Sequence, residues 1–302
     1  MNNPLLTIGK RCLTASLTLV LALAFAGAAP AETLSADSLR SAYGTLGQQL
    51  SHNPFGRELV LKSSETSKQS SGDIYAVVNH PFAAVDAALS APEHWCDILI
   101  LHLNTKYCSS ATAAKPDATL TIYIGKKFDQ PLADASRVDL AFHVAAHTSE
   151  YLAVDMHADE GPVGTSNYHI DLEAIPVSDS RTFLHFRYAY DYGFVGRMAM
   201  QAYLATTGRD KVGFTVVGKR SDGEPDYIGG VRGLVERNTM RYYLAIDSYL
   251  AASAAGPEQL EKRLHTWFSS TEGYARQLHE IPGDAYFEMK RKEVVRQQTP
   301  KR

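Results

Sequence analysis

The chain is poor in the features that announce most biochemical classes. Across 302 residues, 30 Lys plus Arg stand against 33 Asp plus Glu, and 45% of residues are hydrophobic. So balanced a charge excludes a dedicated nucleic-acid binder, and so apolar a composition excludes a disordered chain. No internal repeat with a period of about 20 to 50 residues is present, which excludes solenoids and propellers. Nucleotide-binding glycine signatures are missing: Gly213, Gly218, Gly229, Gly230 and Gly233 form no G-x-G-x-x-G, and no G-x-x-x-x-G-K-[ST] occurs. Neither a G-x-S-x-G nucleophile elbow nor an H-E-x-x-H metal pair is found. These features point to no catalytic residue, metal ligand or cofactor.

What is present begins with an export signal. Lys10 and Arg11 precede an apolar stretch from Leu13 to Ala26, and Ala29-Pro30-Ala31 offers a small-x-small cleavage site before Glu32. Fourteen residues rise only about 21 Å as a helix, short of the roughly 30 Å hydrocarbon core, so a permanent anchor is disfavoured. Cleavage is expected after Ala31, with a periplasmic destination or, alternatively, secretion. The mature chain would hold 271 residues, and losing Lys10 and Arg11 moves the formal charge from -3 to -5. Its two remaining cysteines, Cys96 and Cys108, would face an oxidising compartment without C-x-x-C or metal spacing, which predicts a disulfide.

Periodicity orders the rest. Ser35 to Leu50 has helical spacing, with Ser35 or Asp37 as the cap. Glu58–Leu61 and Asp73–Val78 are expected as strands around a polar loop over 63–72, followed by a helix from His80-Pro81-Phe82 to Leu89 and another over 93–103 carrying Trp95. From 118 onward the period becomes two, in five segments marked by Leu120-Ile122-Ile124, Val138-Leu140-Phe142, Leu152-Val154-Met156, Tyr168-Ile170-Leu172 and Leu184-Phe186-Tyr188-Tyr190. Their short links predict an antiparallel meander with one dry face. Gly193 to Ala205 is expected as a helix, 212–217 as a strand, and Gly230 to Ala252 as a long helix with Val231, Leu234, Val235, Tyr242, Ile246 and Tyr249 on one side. Two more helices fall in 258–298, and the tail from Lys290 to Arg302 is expected to fray.

A strand running Ser71-Gly72-Asp73-Ile74-Tyr75-Ala76-Val77-Val78 into Asn79-His80-Pro81-Phe82, then Val85, Leu89, Pro92 and Trp95, precedes the meander, and the helix Arg232 to Leu250 closes it. In these residues the chain resembles the START-like helix-grip superfamily, also called the SRPBCC fold, over about residues 55 to 252. The resemblance implies an α+β helix-grip domain, 55–252, between an N-terminal helix, 32–54, and a C-terminal helical extension, 253–302. It also implies a cavity between sheet and long helix for an apolar molecule, often a lipid, with a transient contact to a membrane surface. The dry face supplies Phe142, Tyr168, Phe186, Tyr188, Tyr190, Tyr242, Ile246 and Tyr249 as ligand-binding candidates, rings with hydroxyl tips that can orient a polar end. Either a ligand or packed side chains can cover such a face.

Three functions follow as expectations. The first is a non-catalytic carrier of a hydrophobic small molecule. The second is a START-like-fold enzyme, cyclase or hydrolase, which would need an ionisable group pointing inward. The third is an envelope interaction protein docking through Leu260, Leu264, Trp267 and Phe268. On the opposite sheet face, tight turns would set His143 against Asp155, Asp155 against His169 and Asp171 against Arg187, a row expected to be merely hydrated. Arg232, Glu236, Arg237 and Arg241 of the long helix are likewise expected to form a solvated face.

Overall fold

The computed structural model describes residues 35–114, 117–206, 208–252 and 258–299. The proposed signal segment, 1–31, lies outside the described residues. Eight strands form one antiparallel sheet: β1 (Leu59–Glu65), β2 (Gln69–Val78), β3 (Thr105–Ala114), β4 (Asp117–Ile124), β5 (Ser136–Thr148), β6 (Tyr151–Glu160), β7 (Thr165–Ser178) and β8 (Arg181–Tyr192). Their spatial order is β1-β2-β8-β7-β6-β5-β4-β3. Two short helices, α2 (Phe82–Leu89) and α3 (Pro92–Leu99), carry the chain from β2 to the far edge, and the meander returns until β8 pairs with β2.

Helix α5 (Gly230–Ala251) lies across the apolar face of this sheet, with β1, β2, β8, α3 and α6 as neighbours. At Gly72 of β2 a Cβ would overlap the Thr239 side chain, so the helix seats there only on a glycine. The α+β helix-grip plan is therefore the fold of this chain. Leu120, Leu140, Val154, Leu172, Leu184, Val235, Leu244 and Ile246 are all fully buried in one core between sheet and helix. Cys96 of α3 and Cys108 of β3 form the expected disulfide, stapling the helix pair to the sheet edge.

Several expectations need correction. Residues 105–114 are the edge strand β3, unread in the sequence because Thr105-Lys106-Tyr107-Cys108-Ser109-Ser110 does not alternate. The polar stretch 63–72 is no long loop: Ser63 pairs with Gly72 and Ser64 with Ser71, extending the β1–β2 hairpin to Glu65 and Ser70. The outer sheet face is also not simply wet. Helix α1 (Ala36–Ser51), capped by Ser35, lays Leu39, Leu46 and Leu50 over Val60, Tyr75, Val77, Ile175 and Phe183.

Beyond β8 come α4 (Phe194–Ala205) and the small hairpin of β9 (Val216–Lys219) and β10 (Pro225–Tyr227). After α5 follow α6 (Gln259–Glu272), the single turn α7 (Ala275–Leu278) and α8 (Gly283–Gln298). The expected frayed tail is in fact helix α8 through Gln298. Its Lys290 and Glu293 are fully buried, with Lys290 Nζ 2.7 Å and Lys106 Nζ 3.0 Å from the Glu293 carboxylate. Leu264 and Trp267 of α6 and Tyr286 of α8 join the main core, so the apolar faces proposed for docking are turned inward, with Leu260 and Phe268 half-buried against it.

Candidate functional site

Alternation along β5 to β8 sends even-numbered side chains beneath α5, and the register aligns Phe142, Met156, Ile170, Tyr188 and Gly72 in one row across the sheet. Around Tyr188 the tyrosines gather. Tyr168 stacks on Tyr190 with ring centroids 5.5 Å apart, and Tyr188 meets Tyr190 at 5.6 Å and Tyr242 of α5 at 5.2 Å. Phe186 touches Tyr242 from the next position along β8, at 6.3 Å. Tyr249 stands apart near the other end of α5, where Arg263 lies 4.1 Å over its ring. Five of the eight candidates, Tyr168, Phe186, Tyr188, Tyr190 and Tyr242, are thus one cluster.

Burial divides them. Phe142, Phe186 and Ile246 are closed off at 1%, 1% and 0% exposure. Tyr168, Tyr188 and Tyr242 keep 8%, 7% and 9%, although Tyr188 is central in β8 and Tyr242 sits mid-helix among buried neighbours. These three are the cluster rings that retain the most accessible surface. The Tyr168 hydroxyl shares a 2.7 Å hydrogen bond with Thr165. Burial pushes the Tyr168, Tyr188 and Tyr242 phenols upward, so all three stay neutral and can donate a hydrogen bond.

The same cluster borders ionisable groups that sequence periodicity did not reveal. The His102 ring stacks on Tyr242 at 4.6 Å. Burial, then the charges of Arg241, Lys290 and Lys127, hold His102 well below the ordinary histidine range and hence neutral. Arg237 and Arg241, expected on a solvated face, are fully buried, as is Glu236. The correction has a simple cause: α4, α6, α7 and the segments flanking the β9–β10 hairpin, at Gly213–Thr215 and Ile228, pack against α5. Glu236 there receives hydrogen bonds from Ser63, Thr215 and the amides of Phe214 and Thr215. Helix α4 reaches the cluster through Met200, whose sulfur is 3.9 Å from the Tyr190 hydroxyl, and through Tyr203, whose hydroxyl accepts from Lys127 at 3.3 Å.

On the outer face, His143 does oppose Asp155 and Asp171 does oppose Arg187. Asp155, however, faces Asp171, and His169 faces His157. The turn at Pro162–Gly164, with Val163 at φ 59° and Gly164 at φ 75°, lengthens the β6–β7 link and moves the register by two residues. A two-residue shift preserves the face. Asp155, His169 and Asp171 consequently still bring ligand atoms within 4.8 Å of one another, a donor set that could hold a divalent cation. His143 turns instead to Asp117 at 2.6 Å. Further along this face a chain runs Tyr151 to Glu173 (2.6 Å), Glu173 to His185 (3.2 Å) and His185 to Asp73 (2.9 Å), buried beside α1. A separate half-open groove of about 250 Å³ lies between Phe55, Phe214, Tyr227 and Tyr274.

No family model matches the sequence, and no curated protein matches it. Solved structures do resemble it. The aromatase/cyclase of a Streptomyces species aligns at 10% identity, covering 69% of this chain and 95% of its own, with a TM-score of 0.32. Norcoclaurine synthase of Thalictrum flavum aligns at 13% identity over 48% of this chain and 89% of its own, TM-score 0.34. Human StAR-related lipid transfer protein 5 aligns at 10% identity over 56% and 88%, TM-score 0.32. The fold itself, a sheet gripping one long helix, rests on the strand order and the seating of α5 rather than on these likenesses.

Proposed function

We propose that this chain is an exported carrier of a hydrophobic small molecule, held between the sheet and α5 against Tyr168, Tyr188, Tyr190 and Tyr242. The observation that carries the reading is that three neighbouring rings of one interior cluster, Tyr168, Tyr188 and Tyr242, keep 7–9% of their surface accessible. Neutral phenols around an apolar space supply both a greasy wall and donors for one polar end. Export rests on the segment Lys10 to Ala31. A transient contact with a membrane surface has its own motive: Phe194, Val195 and Met198 of α4 and Val163 of the β6–β7 turn present apolar side chains to solvent, 51–78% exposed, on the helix that covers Tyr190. The experiment is solvent extraction of folded protein purified from its host, followed by mass spectrometry. A lipid-like molecule in near-stoichiometric amount is expected. Its absence, together with no thermal protection by a lipid panel, refutes carriage.

His102 favours a second reading, an enzyme of the same fold acting on an apolar substrate. It is the inward ionisable group that such a reading requires, in ring contact with Tyr242. A bound molecule recovered with changed mass after incubation decides for the enzyme, and one recovered unchanged decides for the carrier.

A further inference from the structure

The polar groups beside Tyr242 are unbalanced in a specific way. Arg237 and Arg241, one turn apart on α5, are both fully buried. Arg241 Nη2 donates to Glu280 at 2.7 Å and to the Leu278 carbonyl at 3.2 Å, and Arg237 Nη1 donates to the Val212 carbonyl at 3.2 Å. Lys127 and Lys211 also converge on Glu280, at 2.6 and 3.4 Å. Three cations therefore pair with a single carboxylate, and no ion pair reaches Arg237, the fourth cation here, among the described residues. Burial would push Glu280 upward, but Arg241 and Lys127 outweigh it and keep the carboxylate ionised.

Counting donors sharpens the picture. Nε and Nη2 of Arg237, Nε and Nη1 of Arg241, Nε2 of His102 and Nε2 of Gln130 are buried without a hydrogen-bond partner among the described residues. Tyr203, whose hydroxyl accepts from Lys127, is the one phenol within reach of the Arg237 guanidinium among the described residues, and it leaves Arg237 without a full set of acceptors. His102 Nδ1 accepts from the Asn104 amide at 3.1 Å, which places the proton of the neutral ring on Nε2. Gln130 Oε1 accepts from the Lys126 amide, which leaves its NH₂ facing away from that bond. Every one of these orphans is thus an N–H donor, and none is an acceptor. A buried unpaired donor costs about 1–3 kcal/mol, more when charged, so one acceptor-only group would satisfy several at once.

We infer that the carried molecule bears an oxyanion, a carboxylate or a phosphate, bound by Arg237, Arg241 and His102, with its apolar tail running past Tyr242 toward Tyr188. The inference rests on the carrier reading of the same interior and narrows it to acidic lipids. Continuity between the two parts comes from Tyr242, stacked on His102 on one side and on the Tyr188 cluster at 5.2 Å on the other.

The test is calorimetric titration of delipidated mature chain with oleate, oleoyl lysophosphatidate and oleyl alcohol below their aggregation limits. One of the two anions should bind at least about tenfold more tightly than the alcohol, as one charge-assisted hydrogen bond suffices for that. The tighter of the two anions tells carboxylate from phosphate. Arg237→Met should weaken anion binding severalfold more than alcohol binding and leave the ligand-free protein no less resistant to urea, since a buried charge without an ion pair has gone. The wild-type comparison stands even if that variant does not fold. Equal affinity for alcohol and anions overturns the inference and leaves the carrier standing, whereas no binding of any probe overturns both.

Discussion

Replacing His185 tests the electrostatics of the outer face quantitatively. The ring lies between Asp73 and Glu173 and stacks on Tyr75 with centroids 4.3 Å apart and planes 2° from parallel. Burial by itself would keep it neutral, but hydrogen bonds to Asp73 and Glu173, and then their charges, raise its pKa to about 9. The unfolded chain protonates near 6.5. A histidine raised on folding contributes fully below its unfolded pKa, and the contribution is lost as pH climbs through the folded one. Between about 6.5 and about 9 the loss amounts to roughly 3 kcal/mol, of which about 2 kcal/mol survives at pH 7.5. His185→Gln removes the titrating group and leaves two acids facing each other, so it should be destabilising at pH 6 and approach the wild type near pH 10. Urea unfolding at pH 6, 7.5, 9 and 10, with the disulfide intact, reads both effects. Parallel wild-type and variant profiles across that range would refute the reasoning.

Three further outcomes are expected. Asp171, raised to about 7 by burial and then by the charge of Asp155, costs stability as pH rises from about 4 to 7. Asp171→Asn should therefore gain on the wild type between pH 5 and pH 8, by on the order of 1–2 kcal/mol because the pair is only half-buried, and a gain equal at both pH values contradicts this. Glu293→Gln strips the counter-charge from Lys106 and Lys290, both fully buried, and should cost about 3–5 kcal/mol, seen as a melting temperature several degrees lower. Cys96→Ser with Cys108→Ser opens a cross-link of sequence separation 12 and should cost roughly 3 kcal/mol in urea, a loss that reducing agent should reproduce in the wild type.

The parts of the fold legible in the sequence were those with one dry face. Strands β4 to β8 alternate because one face of each is buried in the core shared with α2, α3 and α5, and α5 itself is marked by Tyr242, Ile246 and Tyr249 at helical spacing. The edge strand β3 was hidden because α8 covers it with Lys290, Glu293 and Gln297, whose bonds to the strand and its approach need no alternation. The serines of β1 and β2 read as a loop because the approach of α5 at Gly72 demands small residues, and their hydroxyls bond to one another and to Glu236. Charge misled most. Lys290, Arg237 and Arg241 have the composition of a wet surface, and only the later helices, folding back over α5, bury them. Of the candidate site the rings were readable from alternation, whereas His102 and Lys127 come from non-repeating stretches around β3 and β4 that no periodic pattern marks.

The central claim is that apolar molecules enter between the sheet and α5, and the most direct measurement is where one becomes attached. A fatty acid carrying a photoreactive diazirine midway along its chain, bound to delipidated protein and irradiated, should label peptides containing Tyr188 and Tyr242. Labelling confined to the exposed Phe194–Met198 surface, or to the groove around Phe55 and Tyr274, would contradict the account.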